Sequence, residues 1–209
     1  MRPEELSSDL LDVLSGVCYV VAADRTVQSI GPTNWNRFCA ESRTRDLGID
    51  RVLGRSLFDF IEGEEVKATI RAVLDRLDRG DVAEWVMPYR CDTPRLKRNM
   101  RLSVSPIVED GKVAGYLFQS VMLDQETRPP VDLFEVDSMA SRMADLKGRT
   151  FVLMCNWCQR VKLRDDPERP FVEGHEYYRR GGSPSVAVFH TICPDCRVRE
   201  QEGFVPRKR

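Results

Sequence analysis

The sequence predicts an α+β protein: a five-stranded antiparallel sheet with flanking helices, followed by a small C-terminal domain stabilised by zinc. Three observations carry this. Five strand-like stretches lie between residues 16 and 122, a run with helical periodicity separates the first two from the last three, and four cysteines stand in two tight pairs, Cys155-Asn156-Trp157-Cys158 and Cys193-Pro194-Asp195-Cys196. Period-two alternation puts every second side chain on one face of a strand, whereas recurrence every three to four residues puts them on one stripe of a helix.

Residues 8–14 read as a short amphipathic helix. Gly16-Val17-Cys18-Tyr19-Val20-Val21 reads as a strand, residues 22–26 as its turn, and Val27-Gln28-Ser29-Ile30 as its hairpin partner. One or two helical turns are expected at 34–40, and another short one at 53–61. In residues 64–79, Val66, Ile70, Val73, Leu74 and Leu77 share one face, and Gly80 stops the helix. Strands follow at 83–90, 98–107 and 114–122. Glu109-Asp110-Gly111-Lys112 joins the last two as a hairpin, because glycine readily adopts positive φ there. Arg128-Pro129-Pro130 then breaks the chain. Val136, Met139, Met143 and Leu146 recur at three, four and three residues, a coiled-coil-like stripe of about three turns that is too short to be stable alone. It serves either a homodimer or a linker helix packed on its own sheet. The expected division is a sheet domain with its N-terminal helix over residues 1–125, a linker helix over 126–147 and a four-cysteine zinc domain over 148–209.

Cys155, Cys158, Cys193 and Cys196 are the expected metal ligands. Four thiolates on two short turns suit one tetrahedral ion, and zinc is the expected one. The thirty-four residues between the pairs are no obstacle, since loop closure costs only about 0.6 kcal/mol per doubling of length. No export signal is visible at Met1-Arg2-Pro3-Glu4-Glu5-Leu6, so a cytoplasmic, reducing location is expected, where clustered cysteines are metal ligands or redox centres rather than structural bridges. A redox pair at Cys155 and Cys158, with Arg160 and Lys162 lowering the thiol pKa, is the competing reading. His190, three residues before Cys193, is a further candidate ligand or a hydrogen-bond donor to a thiolate. His175 reads as part of a solvated helical face.

The chain has 209 residues, 42% hydrophobic and 31% charged, with net charge −1. Residues 1–147 carry 20 basic and 25 acidic side chains, and residues 148–209 carry 12 and 8. Four thiolates on a zinc add about −2 to the second part by formal counting, which leaves little positive excess for nucleic acid. The basic residues Arg160, Lys162, Arg164, Arg179, Arg180, Arg197 and Arg199 are interrupted by Asp165, Asp166, Glu168, Glu173 and Glu176. A nucleic-acid-binding zinc ribbon is therefore the alternative reading. No GxSxG turn, phosphate-cradling glycine loop or HExxH helix is present, so no enzyme is expected.

The order of elements, with Leu53-Gly54-Arg55-Ser56-Leu57-Phe58-Asp59-Phe60-Ile61 before the long helix, resembles the PAS fold over roughly residues 10–123. Trp35-Asn36-Arg37-Phe38, Pro88-Tyr89-Arg90-Cys91-Asp92 and Met100-Arg101-Leu102 with Pro106 are similar to a bacterial subgroup of PAS proteins. Cys155-Asn156-Trp157-Cys158-Gln159-Arg160-Val161, Glu176-Tyr177-Tyr178 and His190-Thr191-Ile192-Cys193-Pro194-Asp195-Cys196 resemble a cysteine-rich tail found after PAS or receiver domains in bacterial signalling proteins. The resemblance implies a cavity between sheet and helices that holds haem, flavin, a metabolite or nothing. Leu57 stands where photosensory flavin members carry a reactive cysteine, and residues 1–147 hold no histidine for haem, which leaves Cys18, Cys39 or Cys91 as a thiolate ligand or as plain core. Trp35 and Trp85 line the cavity or fill the core. Arg90, Asp92, Arg95, Lys97 and Arg98 form a charged loop, expected to be solvated, and Arg37 pairs with Asp59 or Glu41. The expected function is non-enzymatic signal transduction: the sensor binds a ligand or partner, and the zinc module presents a surface to a signalling protein, without a membrane.

Overall fold

The computed structural model describes residues 6–42, 47–80, 82–134, 150–163, 170–183 and 186–206. The elements in chain order are α1 (Ser8–Val13), β1 (Val17–Ala22), β2 (Val27–Ile30), α2 (Pro32–Ser42), α3 (Ile49–Val52), a 3-10 turn (Leu57–Phe60), α4 (Glu64–Asp78), β3 (Val82–Arg90), β4 (Leu96–Glu109) and β5 (Lys112–Thr127). A second 3-10 turn (Asp132–Phe134) precedes β6 (Thr150–Cys155), β7 (Val161–Leu163), α5 (Gly174–Arg179), β8 (Val186–Thr191), α6 (Pro194–Glu202) and β9 (Phe204–Pro206). The stripe Val136, Met139, Met143 and Leu146 lies outside the described residues.

Helix α4 forms where the periodicity places it. Val66, Ile70, Val73, Leu74 and Leu77 are all buried, Glu64 and Glu65 occupy the first turn where the helix dipole favours acids, and Gly80 ends the helix at φ 76°. The β4–β5 hairpin turns through Asp110 and Gly111, both at positive φ, which matches the strand twist. Its ladder runs from Glu109↔Lys112 out to Leu96↔Thr127, so both strands are longer than the alternation alone indicated. The extra length mixes apolar residues such as Leu96, Val108 and Leu123 with charged ones, without the regular alternation that marks a strand, and is held by backbone pairing. The β1–β2 turn is fastened to α4: Arg25 Nη2 lies 2.9 Å from Asp78 Oδ2, and Tyr116 Oη bonds both Arg25 and Asp78.

The main sheet is six-stranded rather than five-stranded, in the order β2-β1-β5-β4-β3-β9, and every pairing is antiparallel. The sixth strand comes from the end of the tail. Phe204 pairs with Trp85 and Val205 with Glu84, and Val86 N–H donates to Gly203 O at 2.8 Å. Three residues with one aromatic carry too little pattern to be read as a strand; β3 supplies the open edge that makes them one. A second sheet, β7-β6-β8, lies in the tail, with β6–β8 parallel.

The buried apolar residues fall into three groups. One joins α4 and the main sheet to Cys155, Trp157, Ile192, Cys193 and Cys196 of the tail. The second packs Val131, Leu133 and Phe134 against the tail sheet through Val152, Val161 and Val186. The third seals α1 to the opposite face of the main sheet through Leu11, Cys18, Val20 and Ile107.

Gly203 sets how closely β9 approaches β3. A Cβ there would lie 2.4 Å from Val86 O and 2.9 Å from Trp85 Nε1. Gly203→Ala is expected to lower stability by about 1–3 kcal/mol, as overpacking does, read as a shift in urea midpoint. A midpoint equal to that of the parent would mean β9 does not pair.

Candidate metal centre

The two cysteine pairs meet because β6 and β8 run side by side and end together. Their parallel ladder closes at Cys155↔Thr191, and Asn156 N–H continues it by donating to Thr191 O at 2.9 Å. Cys155 is the last residue of β6, and the turn into β7 is tight: Gln159 N–H donates to Cys155 O at 2.8 Å, Cys155 N–H donates to Arg160 O at 2.9 Å, and Gln159 takes φ 55°. On the other side, Cys193 is the N-cap of α6, Pro194 occupies its first turn, where a missing N–H costs nothing, and Cys196 follows one turn on. A sheet end thus delivers one pair and a helix start the other.

The ligand atoms of Cys155, Cys158, Cys193 and Cys196 all lie within 4.8 Å of one another, and the four could hold a metal ion. Cys158 Sγ is 3.7 Å from Cys193 Sγ. A tetrahedral ion with metal–sulfur bonds of about 2.3 Å has sulfur–sulfur edges of about 3.8 Å, so the donor set fits. Backbone amides share the negative charge: Cys193 N–H donates to Cys155 Sγ at 3.3 Å, Cys158 N–H donates to the same sulfur, and Arg160 N–H donates to Cys158 Sγ. Hydrogen bonds from Cys158 and Cys196 push the Cys155 thiol far below its ordinary range, and the same contacts push Cys158 and Cys196 up. Cys155, Cys193 and Cys196 are no more than 2% exposed, so the cluster is closed to solvent on most sides.

His190 is not part of the cluster. Its Nε2 lies 3.1 Å from Glu62 Oε2, and its Nδ1 is buried without a hydrogen-bond partner. His175 is exposed on α5.

The cluster is bonded to the main sheet from several directions. Trp157, between the first two cysteines, meets Trp85 of β3 edge to face at 5.9 Å between ring centroids. Both indoles are tied to Glu200 of α6: Trp85 Nε1 donates to its carbonyl at 3.1 Å, and Trp157 Nε1 donates to its carboxylate. Burial raises the Glu200 pKa, and the Trp157 hydrogen bond only partly offsets that. Arg90 N–H, at the end of β3, donates to Trp157 O at 2.6 Å, and Asn156 Nδ2 donates to Glu62 O at 3.1 Å. Glu65, in the first turn of α4, accepts from Thr191 Oγ1 at 2.6 Å, from Ile192 N at 3.2 Å and from Arg197 Nη2 at 2.7 Å.

Arg95 is exposed and Lys97 half-buried, as a solvated loop requires, but Arg90, Asp92 and Arg98 are enclosed, contrary to expectation. Arg90 is 7% and Arg98 1% exposed. The Asp92 carboxylate, fully enclosed, pairs with Arg90 and, at 2.7 Å, with Arg128. Arg90 Nη1 also donates to both oxygens of Glu173 in the tail, at 2.8 and 2.7 Å. Arg98 donates to Cys91 O at 2.6 Å and Ser42 Oγ at 2.8 Å. Two arginines and two carboxylates make a neutral cluster, which is why these charges tolerate burial; the partners lie up to 83 residues away in sequence, beyond any local pattern. Arg37 donates to Asn34 Oδ1 at 2.8 Å, while Asp59 pairs with Arg55 and Glu41 with Arg98.

A cavity of about 330 Å³ lies between the main sheet and the helices. Tyr19, Trp35, Phe60 and Phe118 line it, and Asn156 and Trp157 of the cysteine turn form part of its wall. Trp85 is core. Cys18, Cys39 and Cys91 are not among its lining residues: Cys18 belongs to the opposite face of the sheet, Cys39 Sγ donates to Leu47 O at 3.7 Å, and Cys91 contacts Arg98. Of the two readings of these cysteines, a thiolate ligand for a haem in this cavity is not met, since none of the three lines it.

Removing the Asp92 charge takes the carboxylate partner from Arg128 and leaves Arg90 with Glu173 alone. Asp92→Ala is expected to cost about 3–5 kcal/mol, measured by chemical unfolding; a cost under about 1 kcal/mol would mean the cluster is solvated. Burial works to raise the Glu173 pKa, but the Arg90 hydrogen bonds, with Lys97 and Arg160 beyond, outweigh it and hold the group below the ordinary 4.5. A carboxylate with a depressed folded pKa contributes stability that is complete above its unfolded value and disappears as pH falls through its folded value. Stability should therefore drop below about pH 4.5, and the drop should be shallower in Glu173→Gln than in the parent when unfolding is followed against pH.

No protein-family model matches the chain, and no curated protein matches it in sequence. Solved structures with similarity include a sensory box sensor histidine kinase from Vibrio cholerae at 15% identity and TM-score 0.39, covering 56% of this chain and 87% of that one. The PAS domain of Bordetella pertussis BvgS is similar at 12% identity and TM-score 0.43, covering 69% and 96%. The PAS domain of an HTR-like protein from Haloarcula marismortui is similar at 19% identity and TM-score 0.36, covering 56% and 88%. Likeness at these scores does not bear on function.

Proposed function

We propose that this chain is a non-enzymatic sensory protein of PAS type whose tail is built on a structural zinc, and that it signals by protein contact. The observation that carries the reading is the convergence of four sulfurs within 4.8 Å inside the same apolar core that joins α4 to the main sheet. A closed set of four thiolates leaves no position for water or substrate, so the ion's role is to hold shape. The succession of two strands, short helices, one long helix and a three-stranded meander supports the sensory part, as does the cavity beneath the helices. No helix among the described residues is long and apolar enough to cross a membrane.

The nucleic-acid alternative is less well supported by the tail's charges. Arg160 lies within 3.6 Å of Glu173 and Asp195, Arg179 and Arg180 both pair with Glu176, and Arg197 pairs with Glu65. Cations already answered within the protein release few counterions from a phosphate backbone.

Elemental analysis of the purified protein should find about one zinc per chain. Cys193→Ser should lose the metal and with it the protease resistance of residues 150–206, since structural zinc contributes about 10–16 kcal/mol in small domains. A metal-free parent with its tail intact would overturn the proposal.

A further inference from the structure

The wall that the cysteine turn contributes to the cavity ties two sites together. Trp157 and Asn156 face the cavity from a turn whose two ends, Cys155 and Cys158, are metal ligands in the reading above, on which this inference rests. The turn is anchored over the cavity by the Asn156 bond to Glu62 O and by the Arg90 bond to Trp157 O. Inside, Tyr19 stacks on Phe118 with centroids 5.0 Å apart, and Trp35 meets Tyr19 edge-on at 5.7 Å. Arg90, the cation at the rim, is already paired with Asp92 and Glu173, and Glu62 lies 3.1 Å from His190 Nε2 at an exposed edge. Tyr19, which lines the cavity, also carries a hydroxyl.

We infer that this cavity takes a flat, uncharged ligand of two or three rings with one hydrogen-bonding group, and that the ligand packs against Trp157, so that ligand and metal bind cooperatively. Aromatic walls select a flat apolar body, the apolar lining penalises a charge and the paired Arg90 is not free for an anion, and Tyr19 offers one orienting contact. A volume of about 330 Å³ sets the size. Because the ordered turn is both wall and ligand source, whatever orders it for one site favours the other, and linkage requires the effect to be reciprocal.

The test uses the full metal-loaded chain and the neutral fluorescent probe N-phenyl-1-naphthylamine. The probe should bind saturably, and saturating probe should slow transfer of the metal to a chromophoric chelator by about fivefold or more. Leu102→Trp, which fills the cavity from β4, should weaken probe binding by about tenfold with metal content unchanged and should abolish the slowing. The melting temperature of the parent gives a second readout independent of that variant's folding, since saturating probe should raise it. Equal metal-transfer rates with and without probe, or probe binding undiminished by Leu102→Trp, overturn the inference alone. A parent without metal overturns both this inference and the zinc reading.

Discussion

Everything in the tail depends on the parallel pairing of β6 with β8. That ladder ends at Cys155↔Thr191, and only because the two strands stop level with each other do a hairpin turn and a helix start bring four sulfurs to one place. The surrounding sheet has three short strands, and its apolar core borrows Val131, Leu133 and Phe134 from the segment that precedes it. A core that small stabilises little by itself. A metal ion held by the four sulfurs would join residues close in space but far apart in sequence, which would offset that deficit.

The same turn also closes the main sheet. Trp157 lies between the cysteines and against Trp85, and Glu200 receives both indoles from the helix that Cys193 caps. Arg90 reaches the tail twice, through its backbone to Trp157 and through its guanidinium to Glu173. Strand β9 then lies on the open edge of β3 and covers backbone groups that would otherwise be free to pair with another chain. The cavity and the cysteine turn are therefore in direct contact.

Local pattern made much of this legible. The five buried positions of α4, the Asp110-Gly111 turn and the two cysteine pairs each announce themselves within a few residues, because helix face, turn conformation and ligand spacing are short-range properties. The buried charges were illegible for the opposite reason. Arg90, Asp92 and Arg98 look like a solvated loop until Arg128 and Glu173 are brought beside them, and nothing local indicates that either partner will arrive. The tail strands are three to six residues long, and β9 has no hydrophobic alternation to distinguish it from a loop.

The amino-acid order alone determined the element types of the first sheet, the face of α4 that is buried and the identity of the four clustered thiols, since each follows from spacing along one segment. Only the tertiary structure decided that the sheet has a sixth strand, that Arg90, Asp92 and Arg98 are enclosed and that the cysteine turn walls the cavity. Those outcomes depend on which distant surfaces meet, and that is fixed by packing across the whole chain rather than by the chemistry of any one stretch.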